Sequence, residues 1–188
     1  MRGDAPEPPS RAVLPNRTGI AKRDGVRLAW AGYGAAHPAG TPTVLLMPTW
    51  SIIPSRFWKA QVPYLARRFR VVTFDGRGSG ASDRPEGAAA YTNEEYAADT
   101  LAVMDAAGVD EAVLVALSCG VAWSVHVAAG HPERVRGLFA IGPACGFDLP
   151  AGARDEYVWT ARHPHSRGWA KYNRHHWLEG GYDDFLHF

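Results

Sequence analysis

Cysteine is scarce in this chain. Two of the 188 residues, Cys119 and Cys145, are too few for a disulfide framework and lack the paired spacing of a zinc site. A reducing, cytoplasmic location is the expectation. No apolar run approaches the roughly 18 residues of a membrane span; the longest useful ones are Val44 to Met47 and Ala112 to Leu117. Neither sign of charge dominates, with 20 basic and 19 acidic residues and a net charge of +1. Without a block of clustered cations, neither nucleic acid nor an anionic membrane is an expected partner. No H-E-x-x-H or comparable frame exists, so neither a metal nor a cofactor is expected. The opening MRGDAPEPPSRAVLPNR has charge and proline where a signal peptide needs an apolar stretch, and it carries acids that transit peptides avoid. Residues 1–17 therefore read as a disordered tail.

What is present suits a packed, turn-rich protein. Hydrophobic residues make up 46% and charged residues 21%, close to globular averages, while 20 glycines and 14 prolines supply many tight turns. Asp24-Gly25 within Ile20 to Gly34 predicts a hairpin. TVLLM (43–47), RVVTF (70–74) and AVLVAL (112–117) read as strands buried on both faces, and GLFAI (137–141) as a fourth strand. Between them, Phe57 to Arg68 carries Phe57, Val62, Leu65 and Ala66 on one helical face, with Pro63 expected to kink it. Thr92 and Glu95 form a capping-box pattern, with each expected to bond the other's backbone. The helix it opens ends at Gly108, and Gly120 to Ala129 is a further small-residue helix. This alternation predicts an α/β fold, with a mainly parallel sheet and helices on both faces. Residues 151–188 hold eight of the 21 aromatics and five of the eight histidines without a strand signal. The organisation read from this is a tail at 1–17, a core at 18–149 and a helical segment at 150–188.

The sharpest motif is Val113-Leu-Val-Ala-Leu-Ser-Cys-Gly-Val, where Ser118 stands between a buried strand and a helix. Ala116 and Gly120 give the small-x-Ser-x-small frame of a nucleophile elbow, whose crowded turn admits almost no side chain at those two places. Moving the frame to make Cys119 the attacker would put Leu117 and Val121 there, so Ser118 is the candidate nucleophile and capping serine is the plainer alternative. A serine nucleophile also needs N–H donors for a developing oxyanion. The amide of Cys119 is one candidate; Thr49 or Trp50, after Pro48, offers the other.

These segments together, LLMPTW, WKAQVPYLARRFRVVTFDGRGSGASDRP, ALSCG and HPERVRGLFAIGP, resemble the α/β-hydrolase superfamily, in its esterase-like branch with a cap. The resemblance runs from about Ile20 to Phe188. It implies an eight-stranded sheet, a triad in the chain order Ser, Asp or Glu, His, with Ser118 as nucleophile, and backbone oxyanion donors at Trp50 and Cys119. It also implies a small-molecule substrate, an apolar ester. Where the family commonly has His-Gly before the oxyanion residue, this chain has Pro48-Thr49. The family's acid and histidine lie beyond the cap, whereas these 188 residues reach only into a cap-like segment. Weak or absent activity of this chain alone is therefore expected.

Other residues read more plainly. His126 and His131 belong to the helix behind the elbow and its stop. His163, His165, His175, His176 and His187 read as a solvated cap face, although Asp183 or Asp184 with His187 has helix spacing for a carboxylate–imidazole pair. Asp75, Arg77 and Asp83 are expected to brace the glycine-rich loop. Tyr157, Trp159, Trp169, Tyr172 and Trp177 are either cap core or pocket lining. Two other functions compete. GRGSGA after a strand suggests a dinucleotide-binding loop, but glycines 76, 78 and 80 fall one residue short of the fingerprint's last gap. A non-catalytic binding or scaffold protein is the other alternative. The strand at 137–141 has no successor here to pair with, so an apolar edge and a homodimer formed through it are expected.

Overall fold

A computed structural model describes residues 13–34, 37–38, 40–144 and 161–187. They belong to two compact units, Met1–Cys145 and Gly146–Phe188. In the first unit, β1 (Arg17–Arg23) and β2 (Val26–Tyr33) form the expected antiparallel hairpin. Its turn residues, Asp24 and Gly25, both have left-handed φ, 49° and 81°, as a two-residue turn matched to strand twist requires. β1 thus begins at a residue assigned from sequence to the tail; residues 1–12 lie outside the described ones.

The remaining strands are β3 (Thr43–Leu46), β4 (Arg70–Phe74), β5 (Ala112–Leu117) and β6 (Val135–Ile141). The sheet order is β1-β2-β4-β3-β5-β6, antiparallel through β2–β4 and parallel from β4 to β6. Six strands of the implied eight lie among the described residues. Alternation sends Leu45, Met47, Val72, Phe74, Leu114 and Ala116 to one face, packed with α2 (Asn93–Ala107) and α3 (Cys119–Gly130). Val44, Leu46 and Val71 face the other way, onto Trp58 and Val62. Helices on both faces follow from central strands that carry buried side chains on both sides.

Three local expectations need correction. Residues Ser55–Ala60 form a 3₁₀ turn before α1 (Gln61–Leu65). Three residues per turn shift the phase, so Phe57 is 47% exposed while Trp58 is buried and donates its indole N–H to the Met47 carbonyl at 2.8 Å. Pro63 does not kink α1, because it sits in the first turn, where an N–H has no intrahelical acceptor. The capping box is only half made. Thr92 Oγ1 accepts from the Glu95 N–H, but the Glu95 carboxylate turns to Arg23 and Arg77. In β6, Leu138, Phe139 and Ile141 are exposed on a strand that has one neighbour among the described residues.

In the second unit, α4 (Arg174–His176) is capped by Asn173, and a distorted turn at Trp177–Gly181 leads into α5 (Tyr182–His187). Tyr172, Trp177 and Phe185 pack together, with Trp177 and Phe185 centroids 4.7 Å apart. Tyr172 and Trp177 are thus part of this unit's own aromatic cluster. Tyr157, Trp159 and the Trp169 side chain fall outside what is described. Asp184 pairs with Lys171 and His176 rather than with His187. Among the described residues no helix is long and apolar enough to cross a membrane.

Candidate active site

Ser118 stands between β5 and α3 with φ 56° and ψ −123°, a backbone conformation that is strained for any residue with a Cβ. Its N–H donates to the Ile141 carbonyl at 3.1 Å, and its own carbonyl accepts from the Val121 and Ala144 amides. Those bonds hold the bend. The side chain makes no capping bond to α3, which removes the plainer reading of this serine, and it is half-buried. Ala116 is fully buried, and a Cβ on Gly120 would lie 2.3 Å from the Pro48 carbonyl oxygen. Both small positions are therefore forced by contact.

That contact also ties the elbow to the loop after β3. The Met47 N–H donates to the Val115 carbonyl at 2.9 Å, keeping the loop's first residue on β5. Pro48 and Thr49 are buried and Trp50 is half-buried. The two segments expected to supply oxyanion donors, around Trp50 and at Cys119, meet at the Pro48–Gly120 contact.

Beneath this loop lies the glycine-rich loop after β4. A Cβ on Gly76 would touch the Pro48 ring at 3.2 Å, and one on Gly78 would lie 3.0 Å from the Ser51 carbonyl. Asp75 accepts from the Ser55 amide at 2.7 Å and the Ala81 amide at 2.8 Å. Asp83 exchanges bonds with the Arg27 backbone. Asp75 and Asp83 thus brace the loop, as expected. The space where side chains would stand at these glycines is taken up by Pro48, Ser51, Tyr91 and Asp75, so the glycines serve close packing of the loop.

Arg77 braces more deeply than its position in a loop suggests. Its side chain is buried and makes a two-pronged pair with fully buried Asp99, at 2.6 and 2.7 Å, and donates to the Ala90 carbonyl. Arg23, from β1, adds a 2.9 Å bond to the same carboxylate. Hydrogen bonding from Arg23, then the charges of both arginines, holds the Glu95 carboxyl below its ordinary pKa. The Tyr96 hydroxyl donates to the Arg77 carbonyl at 2.9 Å, and burial pushes its pKa up. Sequence reasoning missed Asp99 and Arg23, since a lone carboxylate within a helical pattern and one arginine among many carry no local signal.

The histidines of residues 13–144 are His37, His126 and His131. His126 lies 3.8 Å from Glu94 and His131 lies 3.5 Å from Glu133, while His37 lines a cavity beside the first residues of β3 and β4. None hydrogen-bonds Ser118 among the described residues. Nor do any three His, Cys, Asp or Glu side chains there form a group that could hold a metal ion.

Known proteins resemble this chain. The 2-hydroxymuconate semialdehyde hydrolase of Pseudomonas sp. (strain CF600) is 35% identical over 102 residues, covering 54% of this chain and 35% of that protein. A 2-heptyl-3-hydroxy-4-quinolone dioxygenase of Rhodococcus erythropolis is 36% identical over 103 residues, covering 55% and 37%. Among solved structures, the enol-lactonase of Burkholderia xenovorans LB400 superposes with a TM-score of 0.58 at 31% identity, covering 64% of this chain and 45% of that one. The chain therefore spans well under half the length of the relatives it matches. The family model described as alpha/beta hydrolase fold matches residues 42–181. With that match over most of its length, a strand order and elbow to suit, and hydrolases among its relatives, this chain belongs to the alpha/beta hydrolase fold family.

Proposed function

We propose that the protein is a serine hydrolase acting on carboxylic esters, with Ser118 as nucleophile. The observation that carries this reading is the left-handed backbone at Ser118, φ 56°, on a side chain with no capping role. Strain of this kind costs about 1–3 kcal/mol and persists where the surroundings over-determine it. A family that includes a dioxygenase by name does not choose the reaction by itself; the serine at the bend is what supports hydrolysis over the alternatives.

In the proposed reaction, Ser118 Oγ attacks the ester carbonyl carbon and gives up its proton to a general base. The carbonyl π pair moves onto oxygen, and the resulting oxyanion accepts from the Trp50 and Cys119 amides. Each such donor lowers the barrier by about 3 kcal/mol. Collapse expels the alcohol, which takes up the proton, and leaves an acyl-serine that water then hydrolyses. His126 and His131, held toward surface glutamates, are poor candidates for the base. Loss of a triad member costs a serine protease about 10⁴–10⁶ in turnover, so slow turnover by the 188-residue chain alone is expected. A fluorophosphonate probe with peptide mapping tests the reading. Slow covalent label on Ser118 at high probe concentration, absent from Ser118→Ala, is the expected result; label on another residue, or equal label in the variant, overturns the serine assignment, and rapid label shows that a base is present after all.

A further inference from the structure

At the amino-terminal end of the parallel strands, away from Ser118, lies a cavity of about 470 Å³. Its floor is formed by the first residues of β3 and β4, Thr43 and Arg70, which are register partners. Arg17 and His37 contribute to its walls, and among the described residues no carboxylate does. Two cations therefore share one cavity without a counter-charge from its lining.

Each guanidinium is already oriented. Arg70 donates to the Gly108 carbonyl at 2.9 Å and to the Ala107 carbonyl, at the C-terminal end of α2. Those bonds fix its plane and leave its outer N–H groups over. Arg17 lies 5.6 Å above the ring of Trp30, itself only 7% exposed, so cation–π attraction holds one face of it. No carboxylate pairs with Arg17 among the described residues. Burial, and then the nearby charge of Arg17, lowers the Arg70 pKa; the charge of a bound anion would offset this. His37 adds an imidazole to the lining.

We propose that this cavity binds a small molecule carrying a phosphate or carboxylate group, gripped between Arg17 and Arg70. Planar guanidinium groups match such oxyanions in geometry as well as charge. The volume exceeds what a lone ion fills, and the Trp30 ring supplies an apolar wall for an organic body. The site is independent of Ser118 and stands or falls apart from the hydrolase reading.

The test is titration of the full chain with inorganic phosphate and, separately, with acetate, at constant ionic strength, followed by amide chemical shifts. Shifts are expected at Arg17, Gly34, Thr43 and Arg70, with none at Ser118 to Gly120; the anion that saturates at lower concentration identifies the preferred group. A charge-assisted bond lost in Arg17→Gln should weaken binding about tenfold or more. Arg17→Lys, which keeps the charge but loses the fork, should fall between. Absence of shifts up to about 20 mM of either anion, a range that would detect even weak millimolar binding, overturns the proposal. So does equal binding by Arg17→Gln, or a response centred on the elbow.

Discussion

The two ends of the sheet are built on opposite terms. At the carboxyl end of the parallel strands, charged groups are paired and packing is close: Asp75 satisfies two amides, Arg77 and Asp99 pair in the interior, and Gly120 lies against the Pro48 carbonyl. At the amino end, among the described residues, a cavity is lined by arginine without acid, and a buried imidazole nitrogen is left without a partner. The difference teaches where the molecule tolerates change. A tightly matched end transmits any alteration to its neighbours, while an open end absorbs it.

The largest expected effect is the one that would break this contrast most directly. Arg77→Ala leaves the Asp99 carboxylate buried with only Arg23 beside it, and loss of one partner of a buried pair costs about 3–5 kcal/mol. Arg17→Gln at the open end should stay within about 0.5 kcal/mol. Urea midpoints of the two variants make the comparison, and equal losses would dissolve it. Next comes Gly120→Ala. Its new methyl would meet backbone rather than a flexible side chain, 2.3 Å from the Pro48 oxygen, so a loss of about 3 kcal/mol is expected in the same measurement. Gly130→Ala, where a Cβ meets nothing within 4 Å, should cause no loss, and a matching loss there would show that the elbow is not specially crowded.

The smallest effect concerns acid. The Glu95 carboxyl is held below its ordinary value of 4.5, chiefly by the Arg23 hydrogen bond. A lowered folded-state pKa means that the unfolded chain binds more protons in that range. The contribution is complete above pH 4.5 and is lost as pH falls through the folded value. Glu95→Gln should therefore flatten the acid limb of a stability profile below pH 4.5 and leave its shape near neutrality unchanged. An unchanged acid limb would remove Glu95 from the network.

Much of this was legible in the sequence because it is local. Strands 43–47, 70–74 and 112–117 declare themselves by apolar runs, and the Asp24-Gly25 turn by its need for left-handed φ. Ala116 and Gly120 frame Ser118 within five residues, so the elbow is readable too. What escaped depends on partners distant in the chain. Glu95 fits a capping box by spacing, yet two arginines brought in from β1 and the glycine-rich loop compete successfully for its carboxylate. Asp99 has no signal until Arg77 folds over it. Trp58 replaces Phe57 in the core because a 3₁₀ turn, whose phase no apolar pattern announces, precedes α1.

The contact between Gly120 and the Pro48 carbonyl also carries a kinetic meaning. It joins segments from opposite halves of the ordered core, so loop-closure entropy must be spent before it can form. The bend at Ser118 gains its hydrogen bonds to Ile141 and Ala144 only once β6 has docked as well. Assembly of this corner should therefore come late in folding, and substitutions there should act mainly by hastening unfolding while barely slowing refolding.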